Sequence, residues 1–161
     1  MKRIAVLCLF LFAAATGRAD EAGQCRANGG TYLTGAVTRP PVFAPGHDHP
    51  HGVELSHTHL TLLADQDGQN YDVAIDNVFA SGYDASGESV PAPLSTIRAG
   101  DRLDLCGRLF SHGGVGIDWV HTNCGDAPSP AQPDGWLKII AADGTPGLNL
   151  EASREYCRLW R

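Results

Sequence analysis

Turn-forming residues interrupt this chain so often that long helices are disfavoured. The 161 residues include 19 glycines and 10 prolines, and such frequent breaks are typical of many short strands. Hydrophobic residues make up 43% of the chain and charged residues 19%, which is enough apolar material for a core. The pattern excludes a coiled coil and a polytopic membrane protein, and the length excludes a multi-domain enzyme.

The order of the predicted elements indicates an all-β domain. Strands are expected at Thr31–Thr38, Val53–Ala64, Gln69–Phe79, Asp101–Ser111 and Val115–Asn123, with one more at Trp136–Ala141. A Pro-, Gly- and His-rich loop is expected at Arg39–Gly52, a helical turn at Leu94–Ala99, and short helices at Asp20–Asn28 and Glu151–Leu159. Five main strands, with the longest connector between the third and the fourth, predict a small five-stranded OB-like barrel with short terminal helices. A small β-sandwich is the alternative.

The N-terminal segment has the layout of a secretory signal peptide. Met1-Lys2-Arg3 is basic, Ile4–Ala15 is uncharged and mostly apolar, and Gly17-Arg18-Ala19 places small residues before a cleavage site. The apolar run is too short for a membrane anchor, because a spanning helix needs about 20 residues. We therefore predict a signal peptide over residues 1–19 and a periplasmic or secreted protein. The rest divides into an N-terminal segment (20–30), the barrel (31–141) and a C-terminal extension (142–161).

Removal of the signal peptide makes the chain strongly acidic. The whole chain has a formal charge of −6, and residues 1–19 contain three basic and no acidic side chains, so the charge becomes −9. Such a charge opposes binding to nucleic acid, which depends on Lys and Arg, and to anionic lipid. We expect no nucleic-acid partner and no membrane insertion of the mature chain. An acidic surface would suit a basic exported protein.

Four cysteines follow the predicted signal peptide, namely Cys25, Cys106, Cys124 and Cys157. An even number in an exported chain predicts two disulfides, for which three connectivities are open. A four-cysteine zinc site would normally contain Cys-x-x-Cys, which is absent. In a hairpin across Gly113-Gly114, Cys106 faces a residue near position 121. Cys106 and Cys124 are therefore each expected to pair with Cys25 or Cys157.

The second and third strands place histidines and aspartates on one sheet face. Alternation puts Leu60 and Leu62 on the core face and His57 and His59 on the other. If Asp67-Gly68 is a two-residue turn, Leu60 lies opposite Ile75 and Leu62 opposite Val73. The same register places His59 opposite Asp76 and Leu63 opposite Asp72. We therefore predict a His–Asp pair on a mostly polar face, which could be a site or a solvated ion pair.

The histidines also suggest a metal site. Five of the seven lie within thirteen residues, at positions 47, 49, 51, 57 and 59. Imidazole is the commonest metal ligand, so His57 and His59 together with one carboxylate could hold zinc or copper, and His121 is the best distant candidate for a further ligand. The alternative is a His-rich surface loop with adventitious metal affinity.

An enzyme is the weaker hypothesis. A histidine oriented by Asp76 could act as a general base, but the cysteines are expected to be oxidised and no Gly-x-Ser-x-Gly motif occurs.

Trp119 and Trp136 are either core anchors or aromatic platforms for a ligand. Trp119 is predicted to share a strand face with His121.

The segment Gly113–Lys138 reads GGVGIDWVHTNCGDAPSPAQPDGWLK. Its paired glycines, its Trp and His segment, its Pro-containing link and its Gly-Trp-Leu-Lys ending resemble the small exported bacterial proteins of the domain of unknown function 3465 family. The resemblance extends more loosely over Tyr32–Lys138, with His57 matching a strand histidine. It implies an exported OB-like domain and no established activity.

Three positions depart from the pattern of that family. Val120 stands where Thr is usual, and Thr122 and Asn123 stand where His and Asp are frequent. Any family site that uses those polar groups is weakened here.

The sequence as a whole predicts a binding module for a metal ion, a small polar ligand or a protein, through His57, His59, Asp76, His121 and Trp119. A small His–Asp hydrolase and an inhibitor of an exported protein are the alternatives.

Overall fold

A computed structural model describes residues 16–85 and 87–160, with side chains from Asp20 onward. The apolar run of the predicted signal peptide, Ile4–Ala15, lies outside the described residues. One α-helix, α1, spans Thr16–Ala27. Across the described ranges, no helix combines the length and the apolar character that crossing a membrane requires.

The described strands form one six-stranded sheet. They are β1 (Thr31–Ala44), β2 (His57–Ala64), β3 (Asn70–Asp76), β4 (Arg102–Phe110), β5 (Gly116–Asp118) and β6 (Trp136–Ile140). Their order is β1-β2-β3-β5-β4-β6, and β1 also pairs with β4. The β3–β5 pairing is parallel and the others are antiparallel. The prediction of an all-β chain is confirmed.

Period-two alternation in β2 and β3 builds the centre of the core. Leu60 and Leu62 of β2 and Val73 and Ile75 of β3 are almost fully buried, as predicted. They belong to one hydrophobic cluster with side chains from β1, β4 and β6. Burial of each such aliphatic side chain contributes about 1.5–3 kcal/mol, so this alternation fixes which face of the sheet points outward.

The predicted register between β2 and β3 is wrong by two residues. Leu60 lies opposite Val73 rather than Ile75, and His57 rather than His59 lies opposite Asp76. The cause is the turn, which is a four-residue loop over residues 65–68 that is closed by Ala64 and Gln69. Because the difference is an even number of residues, every side chain keeps its predicted face.

β1 is longer than predicted. It continues to Ala44, so it includes the first residues of the loop predicted at Arg39–Gly52. Its pairing with β2 shifts register between Val37 and Arg39 and again between Arg39 and Val42. Pro40-Pro41 lies in the second irregularity, because proline has no N–H to donate to a ladder. An extended strand can therefore persist across the two prolines.

β5 is much shorter than predicted and ends before Trp119. Trp119 has a φ of +55°, a left-handed conformation that takes the chain out of the strand. His121 therefore does not lie on a strand, and the prediction that it shares a strand face with Trp119 is wrong. The chain next regains sheet structure at Trp136, the first residue of β6.

Two disulfides join the chain ends to the sheet region. Cys25 of α1 bonds to Cys106 of β4, and Cys124 bonds to Cys157 near the C-terminus. The prediction that Cys106 and Cys124 each pair with one of the outer cysteines is confirmed. Cys106 lies between Tyr32 of β1 and Trp136 of β6, and its disulfide attaches α1 to this part of the sheet.

The C-terminal segment packs on a second, smaller cluster. Tyr156 and Cys157 belong to it together with Val53, Val78 and Phe79. A 3-10 turn at Cys157–Trp160 replaces the longer helix expected over Glu151–Leu159. Another 3-10 turn at Leu94–Thr96 agrees with the predicted helical turn. The tail is thus packed against the region where β3 ends.

Candidate functional site

The β2–β3 hairpin places His57 directly beside Asp76. The two residues are opposite each other in the ladder, and His57 Nε2 lies 2.9 Å from Asp76 Oδ1. A His–Asp pair on the outer face was predicted, but with His59 in the place of His57. His59 instead places Nδ1 2.9 Å from Asp72 Oδ2, and its side chain is 42% exposed. The sheet face therefore carries two His–Asp pairs rather than one.

His121 approaches Asp76 from the other side. Its Nε2 lies 3.3 Å from Asp76 Oδ2, and its Nδ1 donates to the carbonyl oxygen of Thr122 at 2.9 Å. Both ring nitrogens of His121 thus face oxygen atoms. The ring of His121 is buried and stacks on Phe79 with 3.7 Å between ring centroids.

The charge of Asp76 is set by its two histidines. Burial alone would raise the pKa of Asp76, but hydrogen bonds from His121 and His57 outweigh it and hold that pKa well below its usual value. The hydrogen bond with Asp76 in turn raises the pKa of His57, although partial burial opposes the change. Asp76 is therefore an ionised carboxylate shared by two imidazoles.

A cavity of about 290 Å³ opens beside this cluster, which we call the His–Asp–His cluster (His57, Asp76, His121). Asp76 and His121 line it, and three aromatic side chains, Phe79, Trp119 and Trp160, form its walls. Trp119 lies with its ring centroid 5.0 Å from that of His121. The predicted residues His121, Asp76 and Trp119 thus meet at one cavity, whereas His59 lies with Asp72.

Trp119 is held from outside the cavity by an ion pair. Arg108 donates two hydrogen bonds to Asp118, from Nε at 2.9 Å and from Nη2 at 2.6 Å. The guanidinium of Arg108 also lies 5.6 Å from the ring centroid of Trp119, within the range of a cation–π contact. These contacts orient the indole that borders the cavity.

A buried polar network fixes the ends of β2 and β3 beneath the cluster. Thr58 Oγ1 donates to Asn77 Oδ1 at 2.6 Å, and Asn77 Nδ2 donates to Ser56 Oγ at 3.1 Å. Tyr83 extends the network through its hydroxyl, 3.1 Å from Ser56 Oγ. Because Asn77 directly follows Asp76, this network determines where the Asp76 carboxylate lies.

Sequence reasoning missed two aromatic walls of the cavity, Phe79 and Trp160, and the buried acid Glu151. Trp160 is a cavity wall that is brought into place by the Cys124–Cys157 disulfide, and no local pattern relates it to Trp119. Glu151 is fully buried, and its carboxyl oxygens have no hydrogen-bond partner among the described residues. Burial, reinforced by the negative charge of Asp76, raises the pKa of Glu151 well above its usual value.

The three predicted metal ligands do not come together as one group. His57 and His121 bind opposite oxygens of Asp76, and His59 binds Asp72. Within residues 16–85 and 87–160, no group of three or more His, Cys, Asp or Glu side chains has a metal-binding arrangement.

The chain was compared with protein-family models, with curated proteins and with solved structures, and none of these comparisons found a match. The class that the structure defines is an all-β, disulfide-bonded protein with an aromatic cavity beside a His–Asp–His cluster. A function for this chain therefore has to be argued from the chemistry of that cavity.

Proposed function

We propose that this protein is an exported OB-like module that binds a small polar ligand in the cavity beside the His–Asp–His cluster. The observation that carries the proposal is the composition of the cavity. Aromatic walls and a few convergent polar groups are typical of small-ligand sites. Here Phe79, Trp119 and Trp160 surround an approach to Asp76 and His121.

The strand pairings support the OB-like part of the proposal. They run from β1 through β2, β3, β5 and β4 and return to β1, which is the connectivity expected of a closed five-stranded barrel. On this view β6 is an addition that pairs with β4. We also propose that the chain is related to the domain of unknown function 3465 family, which the segment Gly113–Lys138 resembles.

The disulfides support export. Bonds such as Cys25–Cys106 and Cys124–Cys157 persist in oxidising compartments and are rare in the cytosol. Together with the predicted signal peptide, they favour the periplasm or the cell exterior. The proposed site is therefore exposed to extracytoplasmic ligands.

A ligand screen tests the proposed function. Protein purified after export and without a tag is mixed with a library of small polar compounds, and binding is followed by ligand-observed NMR. We expect saturable binders whose affinity falls in Trp119→Ala, which removes a cavity wall, and in His57→Ala, which removes a partner of Asp76. The control is His112→Ala, which changes an exposed histidine in the turn after β4.

The same screen includes Zn²⁺ and Cu²⁺ for the metal hypothesis. Stoichiometric binding that is lost in both His57→Ala and His59→Ala would assign the function to the histidine-bearing sheet face instead of the cavity. Binders that are unaffected by Trp119→Ala, or a library without any saturable binder, would contradict the proposal.

A hydrolase is the second candidate, and one observation favours it. His57 is oriented by an ionised carboxylate at 2.9 Å and its pKa is raised, as in many general bases. Turnover of ester or phosphodiester substrates, with a pH profile that disappears in His57→Ala, would replace the binding function by this one.

A further inference from the structure

The unused hydrogen-bonding capacity of the cavity consists mainly of acceptors. The two oxygens of Asp76 each accept one bond from a histidine and retain a further lone pair. Asp126 lies at the exposed rim of the cavity. Its carboxylate makes no hydrogen bond or ion pair with the described residues, and only its backbone N–H is bonded, to Asn123 Oδ1.

The donors of His121 and Asn123 are already engaged, and the other donors that line the cavity, on Trp119, Gln132 and Trp160, are neutral. Both nitrogens of His121 are bonded to oxygens, and Asn123 Nδ2 donates to the carbonyl oxygen of Gln132 at 3.1 Å. No Lys or Arg side chain lines the cavity in the described part of the chain. An anion would therefore meet the carboxylates of Asp76 and Asp126 without a Lys or Arg counter-charge.

The aromatic walls suit a positive charge. The faces of Trp, Tyr and Phe attract cations, with Trp the strongest, and Trp119 already holds the guanidinium of Arg108 at 5.6 Å from its ring centroid. Trp160, which is 49% exposed, offers a further indole at the opening.

The balance of charge decides between a cation and a neutral polyol. Both oxygens of Asp76 face histidine nitrogens, whereas the carboxylate of Asp126 has no partner among the described residues. A neutral polyol could donate hydrogen bonds to this carboxylate but would leave its charge uncompensated, whereas an ammonium or guanidinium group would do both. The net charge of −6 of the chain acts in the same direction.

We infer that the ligand of the cavity is a small organic cation, in which an ammonium or guanidinium group is carried on an apolar body. The inference rests on the proposed function and names the ligand class for that same cavity. The charged group would lie near Asp126 and the apolar body between Trp119 and Trp160.

A series of matched probes tests this inference. Titrations of 2-phenylethylamine, 2-phenylethanol and phenylacetate compare a cation, a neutral molecule and an anion on one body, and hexylamine with hexanol repeats the comparison on an alkyl chain. Binding is measured by calorimetry and by tryptophan fluorescence. We expect each amine to bind at least about tenfold more tightly than its alcohol, and phenylacetate not to bind.

Two isosteric variants locate the charge. Asp126→Asn should weaken amine binding by about twofold to fivefold, as expected for an exposed charge pair, and should leave alcohol binding unchanged. Asp143→Asn is the control, because Asp143 also lies in an exposed turn, where it accepts a backbone N–H from Thr145. It should leave both affinities unchanged.

The outcomes separate this inference from the proposed function. Equal affinity for the amine and the alcohol would contradict the inference that the ligand is a cation, but would leave the proposed binding function of the cavity intact. Absence of saturation by either amine up to about 10 mM would also overturn the cation, while the compound library tests the cavity independently. A lysyl tripeptide is measured beside the amines. If it binds more tightly than they do, the ammonium group belongs to a protein partner, and weaker binding assigns it to a free small molecule.

Discussion

Glu151 is a buried acid whose environment favours the neutral form. The side chain is fully buried, and no group among the described residues donates to its oxygens. Its pKa is raised well above the ordinary 4.5, first by burial and then by the charge of Asp76. The pKa values of the two carboxyl groups are thus shifted in opposite directions, that of Asp76 downward and that of Glu151 upward.

The raised pKa makes stability depend on pH in a defined direction. The folded state binds the Glu151 proton more tightly than the unfolded state does. The contribution of this group to stability is therefore complete below pH 4.5, the ordinary pKa of the side chain, and is lost as the pH rises toward the pKa of the folded state. In that window this group lowers the free energy of unfolding by up to about 1.4 kcal/mol per pH unit. Glu151→Gln should remove this loss.

Urea unfolding at several pH values between 5 and 8 measures the effect. We expect the free energy of unfolding of Glu151→Gln to increase steadily relative to the wild type as pH rises. Glu88→Gln, which neutralises an exposed glutamate, should run parallel to the wild type. Parallel curves for both variants would show that Glu151 is ionised in the folded protein.

At the scale of elements, the hairpin β2–β3 depends on polar groups as well as on its apolar face. Thr58 is fully buried and points inward with Leu60, where its hydroxyl donates to Asn77. The bond connects the start of β2 to the residue after β3. It therefore closes the end of the hairpin at which His57 and Asp76 meet.

Thr58→Val should destabilise the protein by about 1–3 kcal/mol, because a near-isosteric change leaves Asn77 Oδ1 buried without its donor. Chemical denaturation measures the difference. Thr61→Val is the matched control on the same strand, since Thr61 is half-buried on the opposite face, and we expect it to change stability by less than about 0.5 kcal/mol. Equal effects of both substitutions would mean that the network contributes nothing.

The elements also show what the sequence could predict. Alternation of apolar residues predicted the inward faces of β2 and β3 correctly, because every second side chain of a strand points to the same face of the sheet. The register was beyond reach, because it depends on whether the turn contains two residues or four. In the structure, Asp67 accepts bonds from the Gln69 backbone and from Tyr71, and this stabilises the longer loop.

Only those residues of the candidate site that lie on regular strands could be predicted from the sequence. His57 and Asp76 follow from strand parity, but the approach of His121 depends on the left-handed conformation of Trp119. That conformation has no local signal, since tryptophan rarely adopts a positive φ. The wall that Trp160 forms depends on a disulfide, and a list of cysteines does not determine its pairing.

At the scale of the whole molecule, each disulfide attaches one end of the chain. Cys25–Cys106 fixes α1 against β4 across 81 residues of sequence, and Cys124–Cys157 fixes the tail across 33. The tail supplies Trp160 to the cavity and packs Tyr156 on the second hydrophobic cluster. The sheet core, in contrast, draws most of its buried residues from the strands and none from residues 151–160. The cavity should therefore open without loss of the sheet.

Removal of the second disulfide tests this separation. In Cys124→Ala/Cys157→Ala we expect a loss of about 3–4 kcal/mol of stability, from the entropy of the released loop. Hydrogen exchange followed by mass spectrometry should show faster exchange in residues 150–160 and unchanged protection in β2, β3 and β4. Cys25→Ala/Cys106→Ala should show the reverse, with exchange in α1 accelerated and the tail protected. If both double variants expose the same segments, the tail and the sheet unfold as one unit, and the wall formed by Trp160 cannot move independently of the core.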